Sequence, residues 1–362
     1  MTQGVALFGA TGSIGESTLS VLAAYPERFH LEVVSAHSSV DKLLEIIKRF
    51  QPRHVILTDP AEQEALLSQL PSDFKGSLAF GEAALAEAAM ASDVDVVMAA
   101  IVGGAGLEST FAAVASGKRV CVANKESLVM AGALMMAEAK RSGAVVLPID
   151  SEHNAMFQCL PETYRTGHPI DGLRQLILTC SGGPFRNWPA KKMSRATVAE
   201  ACQHPTWSMG RKISVDSATL MNKGLELIEA THLFSVGQSQ IDVVIHPQST
   251  VHSLVEFVDG SILSQLGSPD MRIPIANALG YPERLSIDVE RLSLTELGRL
   301  EFEPVDHDRF PAMSLAREAS TRGDDRPIVL NAANEVAVSA FLEERISFGE
   351  ITSLVTECLN RI

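Results

Sequence analysis

Asp150 and Glu152, with Ser151 between them, close the apolar run Ala144-Val145-Val146-Leu147-Pro148-Ile149, which reads as a buried strand. Side chains alternate along a strand, so both carboxylates are expected on one side. Like charges that close need a cation, and a divalent metal is the usual one; an isolated Asp-x-Glu can also be a solvated strand end. A third carboxylate, Glu226, ends the run Met221-Asn222-Lys223-Gly224-Leu225-Glu226. On a helix Asn222 and Glu226 are one turn apart on a shared face. Three carboxylates completed by water and substrate oxygens suit Mg2+ or Mn2+, with Co2+ also possible, and not Zn2+. Ser181, His204, Ser217, Asn222 and Lys223 offer donors for a phosphate, the lysine as a point charge and the others as orienting groups. Asn124-Lys125-Glu126 follows the strand Arg119–Ala123, at the strand end where open α/β sheets bind ligands; alone, Lys125 and Glu126 could be an ion pair at a helix start.

These groups need a scaffold. The chain has 362 residues, 46% of them hydrophobic, enough for two or three domains with a full core. Strands at 4–10, Leu31–Ala36, His54–Thr58, Asp95–Ala100, Arg119–Ala123 and Ala144–Ile149 alternate with helices at Glu16–Ala24, Val40–Phe50, Leu107–Ser116 and Leu128–Ser142. The fold class is therefore α/β. Residues 1–149 read as a Rossmann-like, doubly wound domain and 150–290 as a central α+β domain, which the resemblance below makes the catalytic and dimerisation domain. Residues 291–311 are a linker, and 312–362 form a small helical domain that the resemblance below suggests is incomplete. The stretch 181–210, rich in Gly and Pro and holding Trp188 and Trp207, reads as a lid. Ser217–Phe234 reads as one helix. Val243–Val258 reads as strands whose exposed edges suit pairing with another chain.

Net charge is −14 and no Lys/Arg run occurs, which excludes nucleic acid as a partner. No charge-free apolar run reaches about 18 residues, so no membrane span is expected. Five cysteines without a CxxC point to free thiols in a reducing cytoplasm. Strand residues Val5-Ala6-Leu7-Phe8 follow the N-terminus at once, and no signal peptide is expected.

Gly9-Ala10-Thr11-Gly12-Ser13-Ile14-Gly15 lies between the first strand and a helix. Glycines there allow a tight turn and close approach to a pyrophosphate, and the helix start supplies free N–H groups. After the second strand stands Ala36-His37-Ser38-Ser39, where an NAD-binding domain usually carries an acid. The missing acid favours NADP(H), with His37, Ser38 and Ser39 as phosphate contacts.

Taken together, these motifs closely resemble the 1-deoxy-D-xylulose 5-phosphate reductoisomerase family. The resemblance runs from the glycine turn to Asn331-Ala332-Ala333-Asn334-Glu335. It includes Ala123-Asn124-Lys125-Glu126-Ser127, Asp150-Ser151-Glu152-His153, Ser181-Gly182-Gly183-Pro184-Phe185-Arg186, His204-Pro205 and Trp207-Ser208-Met209-Gly210-Arg211-Lys212. It implies Asp150, Glu152 and Glu226 as metal ligands. It implies Lys125, Ser151, Glu152, Ser181, His204, Ser217, Asn222, Lys223 and Glu226 as substrate contacts. Thr11, Gly12, Ser13, Ile14, Asn124, Glu126 and Gly210 are implied NADPH contacts, beside Ala36, His37 and Ser38. Trp207 and Met209 would belong to the lid.

The activity implied is rearrangement of a ketose phosphate, by retro-aldol cleavage and re-aldolisation or by a ketol shift. NADPH then reduces the aldehyde to 2-C-methyl-D-erythritol 4-phosphate, an isoprenoid precursor, in a homodimer. Two features depart from the family. Ala36-His37-Ser38 lacks the Lys, Arg or Asn often found there, and the chain ends at Ile362, earlier than members usually run. A plain NADP-dependent dehydrogenase would need no carboxylate triad. A nucleotide sensor with a relict site would show erosion at Lys125, Asp150, Glu152 or Glu226, and all four are present.

Overall fold

Parallel strands covered by helices on both faces are mainly apolar, and the first seven strands follow that rule with Glu32 on the second as a buried exception. The protein is described by a computed structural model covering residues 2–207 and 209–362. β1 (Gln3–Phe8), β2 (Phe29–Ala36), β3 (His54–Leu57), β4 (Ser77–Phe80), β5 (Val96–Ala99), β6 (Arg119–Val122) and β7 (Val145–Pro148) form a sheet in the order β4-β3-β2-β1-β5-β6-β7. Every pairing in it is parallel. Val5, Leu7, Val33, Val97, Met98 and Cys121 are fully buried within it. The chain leaves β1 for β2 on one side and returns as β5 on the other. The strand order therefore reverses between β1 and β5, and a crevice opens beyond their carboxyl ends.

The helices Ser13–Ala24 and Lys125–Ser142 start three residues earlier than their apolar periodicity suggests. The glycine turn and the Asn124 cap lead straight into first helical turns that are mostly polar, with Ser13 and Glu16 in one and Lys125, Glu126 and Ser127 in the other. β4 is short and only half-buried, which leaves it almost no sequence signal.

A second sheet follows. β8 (Leu173–Cys180), β9 (Ile241–Ile245), β10 (Val251–Phe257), β11 (Ile262–Leu266) and β12 (Glu303–Pro304) lie in the order β11-β10-β8-β9-β12. β8 and β9 run parallel and the other pairs antiparallel. This corrects the edge expected within Val243–Val258: β10 is flanked by β8 and β11, and the open edge is β11, with Ile262 and Leu263 exposed. The 291–311 stretch is also more than a linker, because it holds the helix Leu294–Leu297 and pairs with β9 through β12.

Residues 211–233 form two helices, Arg211–Thr219 and Met221–Leu233, where one was expected. The break is Leu220, buried and left-handed at φ 60°. No Gly or Pro marks it, and the apolar pattern runs through it. The 181–210 stretch contains two short helices, Ala190–Met193 and Val198–Ala201. Ser208 lies outside the described residues. Helices Ala312–Arg322, Arg326–Leu342 and Phe348–Asn360 close the chain. Phe348 meets Phe185 and Phe341 edge-on at 5.0 and 5.6 Å, anchoring the start of the 181–210 stretch to this bundle.

Candidate active site

The three carboxylates converge, but not by strand alternation. β7 stops at Pro148, Asp150 is the N-cap of the helix Ser151–Gln158, and Glu152 stands in that helix's first turn. Ser151, expected to face away, donates its hydroxyl to Glu152. A helix start favours negative charge, which helps both acids sit there. Glu226 arrives from the helix Met221–Leu233, and oxygens of Asp150, Glu152 and Glu226 lie within 4.8 Å of one another.

Two lysines enter the cluster. Lys125 Nζ donates to Asn222 Oδ1 at 2.9 Å and Glu226 Oε1 at 3.0 Å, and it also contacts Asp150. Lys223 Nζ donates to Glu152 Oε1 at 2.6 Å and to Glu226. Lys125, Lys223 and Glu226 are all buried. Burial by itself would depress the Lys125 pKa. The Asp150 and Glu226 carboxylates beside it outweigh that, and the ammonium is held well above its usual value. Lys223 is raised in the same way by Glu152 and Glu226. Burial and the neighbouring Asp150 and Glu152 push Glu226 up to about 7. Three oxygen-donor acids against two ammoniums leave a net negative charge in a buried place. That donor set fits a hard divalent cation.

Beside the cluster, Ser181 Oγ is 2.9 Å from His204 Nε2 and accepts from Gly183 N at 3.1 Å. His204 Nδ1 accepts from the backbone N–H of Thr206 (3.2 Å) and Trp207 (2.9 Å). An Nδ1 that accepts leaves the proton on Nε2, so His204 donates to Ser181. The Ser181 hydroxyl hydrogen is then free to point into the cavity. Burial lowers His204 to about 4, so the imidazole is neutral near pH 7.

The glycine turn forms the other end of the crevice. Gly9 is left-handed at φ +83°, and a Cβ there would meet Ala100 O at 2.6 Å; one on Gly15 would meet Ala10 O at 2.3 Å. These two glycines serve packing. A Cβ on Gly12 would meet protein only at Gly9 O, 3.6 Å away, and would otherwise fill the open cradle ahead of the helix. Asn124 caps the helix Lys125–Ser142 by accepting from Ser127 N, and donates to Ile101 O and Gly103 O. Glu126 accepts from Lys212 at 2.6 Å, and Lys212 also pairs with Asp216 at 3.0 Å. Asn334, from the C-terminal bundle, donates to Asp216 at 2.7 Å.

One cavity of about 680 Å³ joins the two ends. Gly12, Ser13, Ile14, Asn124, Lys125, Glu126 and Gly210 line it, as do Asp150, Ser151, Glu152, Ser181, His204, Ser217, Asn222, Lys223 and Glu226. Trp207 and Met209 close one wall, with the Trp207 ring 6.3 Å from His252. Thr11, Ala36, His37 and Ser38 are outside that lining. His37 is exposed, with Nδ1 2.9 Å from Thr58 Oγ1 and Nε2 4.0 Å from Asp59. Sequence reasoning missed Lys212, Asp216, Ser249, His252, Asp270 and Met271, which also line the cavity. Ser249 is left-handed at φ 51° where the chain enters this wall. Lys42 was missed too: it pairs with Glu16 and lies 3.5 Å from Thr11 O, a cation beside the glycine turn.

Comparison with known proteins agrees with this geometry. The family model for 1-deoxy-D-xylulose 5-phosphate reductoisomerase matches residues 5–132, and models for its C-terminal domains match 146–234 and 266–362. The reductoisomerase of Stutzerimonas stutzeri is 53% identical over 357 residues, 98% of this chain and 90% of that protein. That of Pseudomonas aeruginosa is 52% identical over 360 residues, 99% of this chain and 91% of its own. A solved DOX-P reductoisomerase in complex with NADPH, fosmidomycin and magnesium superposes with a TM-score of 0.95 at 49% identity, covering 99% of this chain and 89% of that one. The Zymomonas mobilis enzyme in complex with NADPH gives 0.91 at 44% identity, covering 100% and 92%. The chain belongs to the 1-deoxy-D-xylulose 5-phosphate reductoisomerase family.

Proposed function

We propose that this protein converts 1-deoxy-D-xylulose 5-phosphate to 2-C-methyl-D-erythritol 4-phosphate, using NADPH and a divalent cation. The observation that carries this reading is the single cavity that holds both the carboxylate cluster and the glycine turn. A plain dehydrogenase has no use for three acids there. Asp150, Glu152 and Glu226 would hold Mg2+, or Mn2+ in its place. Bound there, the cation polarises the carbonyl and acidifies the hydroxyl of an α-hydroxyketone, while NADPH supplies the hydride.

The chain's own residues do the remaining work. Lys125 keeps its proton, and its ammonium offsets negative charge that builds on substrate oxygen. Asn222 accepts from Lys125 and so aims that ammonium. Ser181, Ser217, Asn222 and Lys223, with neutral His204 behind Ser181, orient the phosphate. Contacts to that remote group bind and orient the reacting carbons. Ser151 positions Glu152. Trp207 and Met209 keep water from the reacting carbons. Gly12, Ser13 and Ile14 receive the pyrophosphate, with Thr11, Asn124, Glu126 and Gly210 beside them. Lys42, Ala36, His37 and Ser38 lie toward the ribose phosphate.

We also propose a homodimer built on the open β11 edge, where Val258, Ile262 and Leu263 are exposed, and a cytoplasmic setting that suits five free thiols. Among the described residues no helix is long and apolar enough to cross a membrane. The proposed domains are 1–149 for cofactor, 150–290 for catalysis and 312–362 as a helical support.

The test is NADPH consumption by the purified chain with 1-deoxy-D-xylulose 5-phosphate and Mg2+, with methylerythritol phosphate identified as product. Consumption without that product would leave only a dehydrogenase. Light scattering that gives monomer at micromolar concentration would remove the dimer.

A further inference from the structure

A second group of ionisable side chains lies at the amino ends of the parallel strands, the end of the sheet opposite the cofactor turn. Glu32 is on β2, His54 opens β3, and Asp93 lies just before β5. One ligating atom from each lies within 4.8 Å of the other two. His54 Nε2 is 3.7 Å from Asp93 Oδ2. Ligands at about 2.1 Å from a tetrahedral ion are about 3.4 Å apart, so the spacing suits a shared cation. His54 Nδ1 hydrogen-bonds Ser77 Oγ at 2.7 Å, which leaves Nε2 to face Asp93.

Glu32 is the second, independent observation. It is 0% exposed, and its Oε1 has no hydrogen-bond partner among the described residues. Its other oxygen touches His30 Nε2. The nearest cation, Arg53, is 3.2 Å from Oε1 but does not donate to it, and 3.8 Å from Asp93. Its side chain is 68% exposed and can swing aside. A buried carboxylate oxygen that is ion-paired but not hydrogen-bonded is incompletely satisfied, and His54 and Asp93, both partly open to water, stand where an ion could reach it.

We propose that Glu32, His54 and Asp93 form a zinc site, with water as fourth ligand and His30 orienting Glu32. The imidazole sets it apart from the all-oxygen active-site cluster, which suits magnesium. The site does not depend on the reaction proposed above.

Dialysis of the full chain against micromolar Zn2+ with excess Mg2+ isolates this site, because magnesium fills the oxygen cluster. Metal analysis should find one magnesium-resistant zinc per chain. It should persist in Glu226→Gln and disappear in His54→Ala and Glu32→Gln. His54 is partly exposed, so His54→Ala should keep the wild-type circular dichroism and turnover while losing the rise in melting temperature that zinc gives the wild type. Absence of magnesium-resistant zinc in folded wild type overturns the proposal, as does equal binding in His54→Ala.

Discussion

Lys125 Nζ donates to Glu226 Oε1 at 3.0 Å, joining the start of the helix after β6 to a helix 101 residues later. The contact is buried, so neither charge can lean on water. Around it two ammoniums face three carboxylates. Removing one acid balances the charges, whereas removing one lysine unbalances them further.

Glu226→Gln should therefore keep the melting temperature of the metal-free protein within a few degrees. It should lose the rise that Mg2+ gives the wild type, and kcat/KM should fall by at least about 100-fold. Thermal melts with and without Mg2+, read beside kinetics, check both. A variant still stabilised by Mg2+ would show that Glu226 is not a ligand.

Lys125→Ala should do the reverse. It leaves Asp150 and Glu226 buried with one counter-charge fewer, a loss of about 3–5 kcal/mol in the metal-free protein. Mg2+ should restore part of the stability and little of the turnover. Denaturant unfolding at several Mg2+ concentrations measures this, and loss of activity without loss of stability would contradict the charge argument.

His204 should stay neutral across the physiological range. Its folded value of about 4 lies below the ordinary 6.5. The unfolded chain thus takes up the proton first as pH falls. The stability linked to this group is complete above pH 6.5 and is lost as pH falls through about 4. The group is half-exposed, so the effect on the whole fold is small and NMR titration of its ring is the better readout. A midpoint near 6.5 in the ligand-free protein would refute the assigned tautomer network.

Asn334→Leu removes the Asp216 partner at the far side of Lys212 and Glu126. Leaving a buried acceptor short of a donor costs about 1–3 kcal/mol. The KM for NADPH should rise by about fivefold, equivalent to roughly 1 kcal/mol, with the Mg2+ requirement unchanged. A rise in the substrate KM alone would place the network elsewhere.

Much of this was legible in the chain. The glycine turn, Asn124-Lys125-Glu126 and Asp150-Ser151-Glu152 each sit at a strand's carboxyl end, and local pattern reveals such positions. Pattern failed where tertiary structure decides. Asp150 and Glu152 were grouped for the wrong reason, since a helix cap and not a strand unites them. Leu220 breaks a helix with no breaker residue. Lys42 meets the glycine turn at Thr11 and Asn334 meets Asp216, and only the fold brings those pairs together.

The most direct test is a single turnover with NADPH deuterated at the transferring position, with Mg2+ and with EDTA. Methylerythritol phosphate one mass unit heavier, formed only with Mg2+, is the expected result. Deuterium transfer that proceeds equally in EDTA would contradict the role given to Asp150, Glu152 and Glu226.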